Sequence, residues 1–395
     1  LPSAAAAPRL PPAPAGYQVA AVDFVNPSTG WVVGLLDSGD LTVLHTSDAG
    51  RHWARQLSHP SDGHDTFLRF FDERRGMFAL IGARPLIYRT ADGGRTWRPQ
   101  VLFSADVFVQ SLSFLDPANG WMLISSGPST QAFSELYRTR DGGDSWTDLG
   151  RPAASPDQTY GVQFADATTG WLDSESNGPY AYRSVDAGVT WLRVPLPAPP
   201  SGWPPTGQFF VSARPTQGLG VVATVVNFPP AVGRSGLGAT ITWYPPLTVH
   251  TFDGGSPVSY TYTTVITQMT TVPSSQSPAP NQVELGSLDA GATWNPIAPP
   301  SDPGAIGYSN ARDWWWIGSG AWSRSSDGGA TWTSRRNLGV PQPLPGSLQI
   351  LDPKHAWFAA MAGTSPVLET TADAGVTWRM LLLPVMNVGD ANYAG

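Results

Sequence analysis

The sequence predicts an all-β chain, a seven-bladed β-propeller of four-stranded antiparallel blades, with eight blades, one of them degenerate, as the alternative. Three observations predict it. One eight-residue phrase occurs seven times, a second turn phrase alternates strictly with it, and the period of roughly 40–50 residues is that of an array built from one supersecondary unit.

The first phrase reads TSDAGRHW (46–53), TADGGRTW (90–97), TRDGGDSW (139–146), SVDAGVTW (184–191), SLDAGATW (287–294), SSDGGATW (325–332) and TADAGVTW (371–378). A short apolar run such as LTVLH (41–45) or ELY (135–137) precedes each copy, and a polar-alternating run follows its Trp. Strand, tight glycine turn, strand is a β-hairpin. Each residue type then has a structural use. The box aspartates Asp48, Asp92, Asp141, Asp186, Asp289, Asp327 and Asp373 are placed to accept backbone N–H groups two or three residues on. The Gly supplies φ > 0, and the Trp packs over the hairpin.

The second phrase precedes each box: VNPSTGWVVG (25–34), FDERRGMFAL (71–80), LDPANGWMLI (115–124), ADATTGWLDS (165–174), RPTQGLGVVA (214–223), NARDWWWIGS (310–319) and LDPKHAWFAA (351–360). It is another strand–turn–strand, so each unit carries four short strands. Radial closure removes the sheet edges that an open array would expose. In the fifth unit the distance from turn to box is far longer than in the others. It contains VHTFDGG (249–255), which looks like a box without its Trp. Either blade five carries an insertion at about 228–281, or there is an eighth blade. No turn phrase lies between 256 and 286, which favours the insertion. The organisation read from this is an Ala/Pro-rich linker at 1–16, the propeller at 17–383 and a tail at 384–395.

Composition narrows the function classes. The 395 residues are 41% hydrophobic and 13% charged, and the net charge of −7 lacks the basic stripe that nucleic acid requires. Of 23 basic residues only Lys354 is a lysine, a bias that composition does not explain. Cysteine is absent, which excludes disulfides and thiolate metal sites. No apolar run reaches the roughly 18–20 residues of a membrane span. The opening LPSAAAAPRLPPAPAG reads as what remains after an export or lipid-anchor signal is removed. The expected location is therefore extracellular, cell-surface or periplasmic.

The boxes resemble the Asp-box, or BNR, repeats of sialidase-type propellers. Their pairing with xGWxxG turns is most similar to the photosystem II stability/assembly factor-like propellers, over about residues 17–383. The resemblance implies the fold strongly and the function weakly, because such propellers include glycosidases, receptor ectodomains and non-catalytic assembly factors. A sialidase would need an arginine triad, a Tyr–Glu nucleophile pair and an Asp acid/base. The only arginine before the first box is Arg9, and the ARPL segment (83–86) comes too late with its residues in the wrong order. Among Glu73, Glu135, Glu175, Glu284 and Glu369, only Glu175, read in a loop near Asp173 and Tyr180, suits a nucleophile. A carboxylate pair of inverting-glycosidase geometry stays open.

In a propeller the 1–2 and 3–4 turns share one face, so both repeated phrases lie together and the non-repeated loops populate the other. Loops carried on a rigid scaffold are where function concentrates. Trp203, Trp243 and Tyr244 fall in Pro-rich loops, with Tyr260 and Tyr262 in the insertion, and these are the candidate binding residues. Trp314 and Trp316 read as blade packing. His59, Asp62, His64 and Asp65 cluster in one connection with ligand types that suit Zn or Ca, yet a short polar loop gathers such residues by chance, and no metal or cofactor is assigned. The expected function is a non-catalytic scaffold or surface-structure module whose partner is another protein or copies of itself. A carbohydrate-binding or glycoside-hydrolysing propeller, with glycan as ligand, is the alternative.

Overall fold

The computed structural model describes residues 18–35, 40–60, 65–81, 85–102, 107–126, 133–153, 157–197, 208–215, 220–228, 248–253, 256–261, 281–297, 304–318, 321–336, 341, 343–344, 347–362 and 365–383. Among the described residues the strands form five four-stranded antiparallel sheets, one eight-stranded sheet that joins two further four-stranded units, and a two-stranded hairpin. Unit 1 holds β1 (Gln18–Phe24), β2 (Gly30–Leu35), β3 (Asp40–Thr46) and β4 (Ala54–Pro60). Unit 2 holds β5 (Asp65–Phe70), β6 (Gly76–Ile81), β7 (Leu86–Thr90) and β8 (Arg98–Val101). Unit 3 holds β9 (Phe108–Phe114), β10 (Gly120–Ser126), β11 (Phe133–Thr139) and β12 (Thr147–Asp148). Unit 4 holds β13 (Gln158–Phe164), β14 (Gly170–Ser176), β15 (Tyr180–Ser184) and β16 (Leu192–Pro195). Unit 5 holds β17 (Gln208–Pro215), β18 (Val221–Phe228), β21 (Asn281–Ser287) and β22 (Asn295–Ile297), with β19 (Thr248–Asp253) and β20 (Ser256–Thr261) paired only to each other between them. Unit 6 holds β23 (Gly304–Tyr308), β24 (Trp314–Gly318), β25 (Ala321–Ser325) and β26 (Thr333–Arg336). Unit 7 holds β27 (Gln349–Ile350), β28 (Ala356–Ala362), β29 (Ser365–Thr371) and β30 (Arg379–Leu382).

The Gly-Trp dipeptide of the turn phrase explains how units join. Gly30, Gly76, Gly120 and Gly170 each pair with the Phe that ends the preceding strand, and a Cβ at any of them would run into that ring. The Trp then reaches the next unit. Trp31 stacks on Phe70 with centroids 3.4 Å apart, Trp121 on Phe164 at 3.6 Å, and Trp357 on Phe24 at 4.4 Å. Each such pair adds about 0.5–1.5 kcal/mol beyond its area burial. The other face of the Trp takes a cation from its own unit: Arg138 over Trp121, Arg183 over Trp171 and Arg324 over Trp315, at 5.0–5.7 Å. A planar guanidinium can lie flat on the indole as well as attract its π face, which suits Arg at these three positions. The box Trp meets the same Phe edge-on, as in Trp97–Phe70 and Trp146–Phe114.

Ring closure uses the same parts. The first and last units share one core cluster, in which Val22, Phe24, Val32 and Leu44 meet Trp357, Leu368 and Leu381. Gln349 accepts the Phe24 N–H at 2.8 Å and donates to Asp23 at 3.1 Å, while Asp23 accepts the Phe70 N–H of unit 2. Among the described residues no strand passes between the first and last units, which meet through side-chain packing and these latches.

One junction is irregular. β14 pairs with β15 only over Gly170–Leu172, and its last residues, Ser174–Ser176, pair with β17 of the next unit, fusing units 4 and 5 into one sheet. In the insertion, the backbone of the β19–β20 hairpin lies against β1, β5 and β27 on one side and β17 and β23 on the other. Trp314, Trp315, Trp316 and Trp322 are all buried packing.

Candidate functional site

The repeated phrases build the turn face. In the second box the Thr90 hydroxyl donates to Asp92 at 2.9 Å and accepts the Gly94 N–H, while Asp92 accepts both the N–H and the hydroxyl of Thr96. The pattern repeats in every box, with His52 taking the place of the second hydroxyl in the first. The sequence predicts acceptance two or three residues on; the N–H four residues on is the bond every box makes, and the N–H three residues on also lowers Asp92 and Asp289, in a turn with two successive φ > 0 residues. The Thr96 hydroxyl and N–H hold the Asp92 carboxyl down at about 2, and Asp141, Asp289 and Asp327 are held there in the same way. A carboxylate so committed is a poor base. In six units the N–H of the residue after the box Asp donates to the 1–2 turn of its own unit, as from Gly93 to Arg74 and from Ala187 to Thr168. The two phrases therefore do share one face.

On the opposite side, the fused junction of units 4 and 5 gathers polar and aromatic groups. A bulge between Thr159 and Gly161 re-aims Tyr160, whose hydroxyl donates to Glu175 at 2.6 Å while its ring packs against Phe210 of unit 5. Glu175 lies in strand β14, not in a loop as its sequence context suggested, because the strand continues by pairing with β17. Asp173, two residues earlier, is buried and accepts the Ser212 hydroxyl at 2.6 Å. The glycine at 161 is required, since a side chain there would collide with that carboxylate. Facing unit 3, one oxygen of Asp157 accepts the hydroxyls of Tyr180 and Tyr182 and the guanidinium of Arg193. Burial, with the Asp157 hydrogen bond, pushes the Tyr182 phenol up to about 12. The Arg193 guanidinium also sits 4.6 Å over the Tyr180 ring.

Of the predicted binding residues, Trp203, Trp243, Tyr244 and Tyr262 lie outside the described residues, and Tyr260 is described only as part of strand β20. Asp62 and His64 also lie outside, and the His59 imidazole hydrogen-bonds the Pro60 carbonyl. Among the described residues no group of His, Asp or Glu is set to hold a metal ion, and no helix is long and apolar enough to cross a membrane. The Asp157–Tyr180–Tyr182–Arg193 cluster was missed from sequence, since its members are 36 residues apart at the extremes and follow no motif.

Four-stranded antiparallel units packed in a closed ring define a β-propeller. No family model matches the chain, and no curated protein matches it. Among solved structures it is similar to YCF48 bound to D1 peptide, at 19% identity over 80% of this chain and 81% of that one, with a TM-score of 0.40. It is also similar to YCF48 from Cyanidioschyzon merolae, at 15% identity over 92% and 95% of the two chains with a TM-score of 0.47. A prolyl endopeptidase structure is 9% identical over 93% of this chain and 50% of that chain, with a TM-score of 0.53. At these identities the likeness is one of fold.

Proposed function

We propose that the chain is a non-catalytic, protein-binding propeller, a rigid scaffold that presents contact surfaces to another protein. The observation that carries this reading is the exposure of large apolar side chains on an otherwise well-packed ring: Val189 is 61% exposed, Leu192 65% and Val376 58%. Each offers apolar area that a partner protein can bury. A second reading, a carbohydrate-processing propeller, is favoured by the Tyr160–Glu175 pair. The test is a glycan panel scored for binding and for released sugar, run beside chemical cross-linking in the source cells. Discrete protein adducts with a blank panel are expected. Sugar release that Glu175→Gln abolishes in a folded protein would overturn the non-catalytic reading.

A further inference from the structure

The first strands of the units stand innermost in the ring. β1 meets β5 and β27, β13 meets β9 and β17, and β23 meets β27. The fourth strands β4, β8 and β16 are mostly exposed, which puts them at the rim. In units 1, 2, 3, 6 and 7 the first strand ends its sheet, so one edge of its backbone faces the central channel. Strand β20 of the insertion lies against β1, β5 and β27, and β19 lies against β17 and β23. All five are first strands, from units 1, 2, 7, 5 and 6. A hairpin that meets inner strands on both sides of the ring sits in the channel those strands enclose.

The hairpin is seated there without being woven in. Among the described residues β19 and β20 pair only with each other, from Thr248 with Thr261 to Asp253 with Ser256. The last pair leaves two residues to join the strands, both glycine in the sequence. VHTFDGG, which looks in sequence like a box without its Trp, thus belongs to this hairpin. Beside it β18 and β21 pair without interruption, so the four strands of unit 5 are complete without the insertion. Residues 229–247 and 262–280, 19 on each side, join the hairpin to that unit. A chain of that length can reach up to about 60 Å, whereas four paired strands span only about 15 Å. The connections are long enough for the hairpin to leave the channel while every blade stays intact.

We propose that the β19–β20 hairpin is a displaceable plug, an internal ligand that closes the central channel of its own propeller to other extended segments. The channel offers strand edges, the kind of surface to which an extended segment adds as a further strand. The hairpin fills that space and forms no ladder with those edges, so a segment that pairs with one of them competes with it. The tether weights the competition, because connections of this length keep the hairpin at roughly millimolar effective concentration. The inference deepens the protein-binding reading, and rests on it for the class of molecule that displaces the plug.

Two measurements test it. Because the chain has no cysteine, spin labels can be placed in pairs at Thr251→Cys in β19 and at Arg55→Cys or Leu192→Cys, exposed positions on the rims of units 1 and 4. A plug on the ring axis gives one narrow distance from 251 to each rim label, each about half the rim-to-rim distance. Broad or unequal distances would overturn the seating. Displacement is read with a variant in which a short Gly/Ser loop replaces residues 229–280, and with a synthetic peptide of residues 247–262 joined end to end to pre-form the hairpin. The peptide should bind the variant at least about tenfold more tightly than the full chain, whose own hairpin competes from its tether. Equal affinities, or no binding to the folded variant, would overturn the plug. Neither measurement involves a partner, so their failure would leave the protein-binding reading standing. A blank result in the cross-linking of the source cells would remove that reading and leave the plug.

Discussion

At the scale of single residues, the box is a device for holding one turn. Its cost is visible in Ala49, Ala187, Ala290 and Ala374, which adopt φ of 57–66°, the left-handed region that glycine occupies in the other three copies. A non-glycine there costs roughly 1–2 kcal/mol, partly offset because glycine loses more entropy on folding. Ala374→Gly should therefore stabilise the protein by about 0.5–1 kcal/mol, read from the urea midpoint at unchanged slope. The box carboxylates give a pH signature of their own. Their folded pKa values lie below the ordinary 3.8, so their contribution is present above about pH 4 and is lost as pH falls toward 2. The urea midpoint should drop across that window, and Thr96→Val should flatten the drop. An unchanged slope in Thr96→Val would show that its hydroxyl does not hold Asp92.

At the scale of elements, the seams between blades carry the stability. Trp121 is buried between Phe164 and Arg138, and its indole donates to the Ala187 carbonyl at 2.9 Å. Trp121→Ala should cost about 3–5 kcal/mol, within the range for deleting a buried Trp. Two carboxylates in the seam-forming strands titrate the other way from the boxes. Burial raises Asp23 to about 7 against the opposing pull of Arg69, and burial raises Glu369 to about 7. A folded pKa above the unfolded one gives stability that is full below about pH 4 and lost as pH rises through about 7. Glu369→Gln should remove part of that loss, so its unfolding free energy should exceed wild type at pH 8 and match it near pH 4. A constant offset across that range would refute the assignment.

At the scale of the whole molecule, the described residues close the ring through side-chain contacts between the first and last units. Unit 6 carries Trp314, Trp315 and Trp316 in succession along β24, where neighbouring side chains point to opposite faces of the sheet, and all three are buried. The insertion is a separate matter, because β18 and β21 pair continuously from Val221–Ser287 to Asn227–Asn281. Replacing residues 229–280 by a short Gly/Ser loop should leave a single cooperative unfolding transition.

The sequence by itself determined the repeat, the hairpin in each repeat, the identity of the turns and the shared face of both phrases. It could do so because local turn chemistry tolerates few residue types: Asp48 and Gly50 recur in kind because the turn geometry repeats. The tertiary structure alone decided what meets across long separations. It brought Gln349 to Phe24, 325 residues apart, and let Trp121 lie between Phe164 and Arg138. It extended β14 through Glu175 by borrowing a strand from the next unit, which turned an expected loop carboxylate into a strand residue hydrogen-bonded to Tyr160. Those contacts depend on the order and closure of the ring, and no spacing within one repeat encodes them.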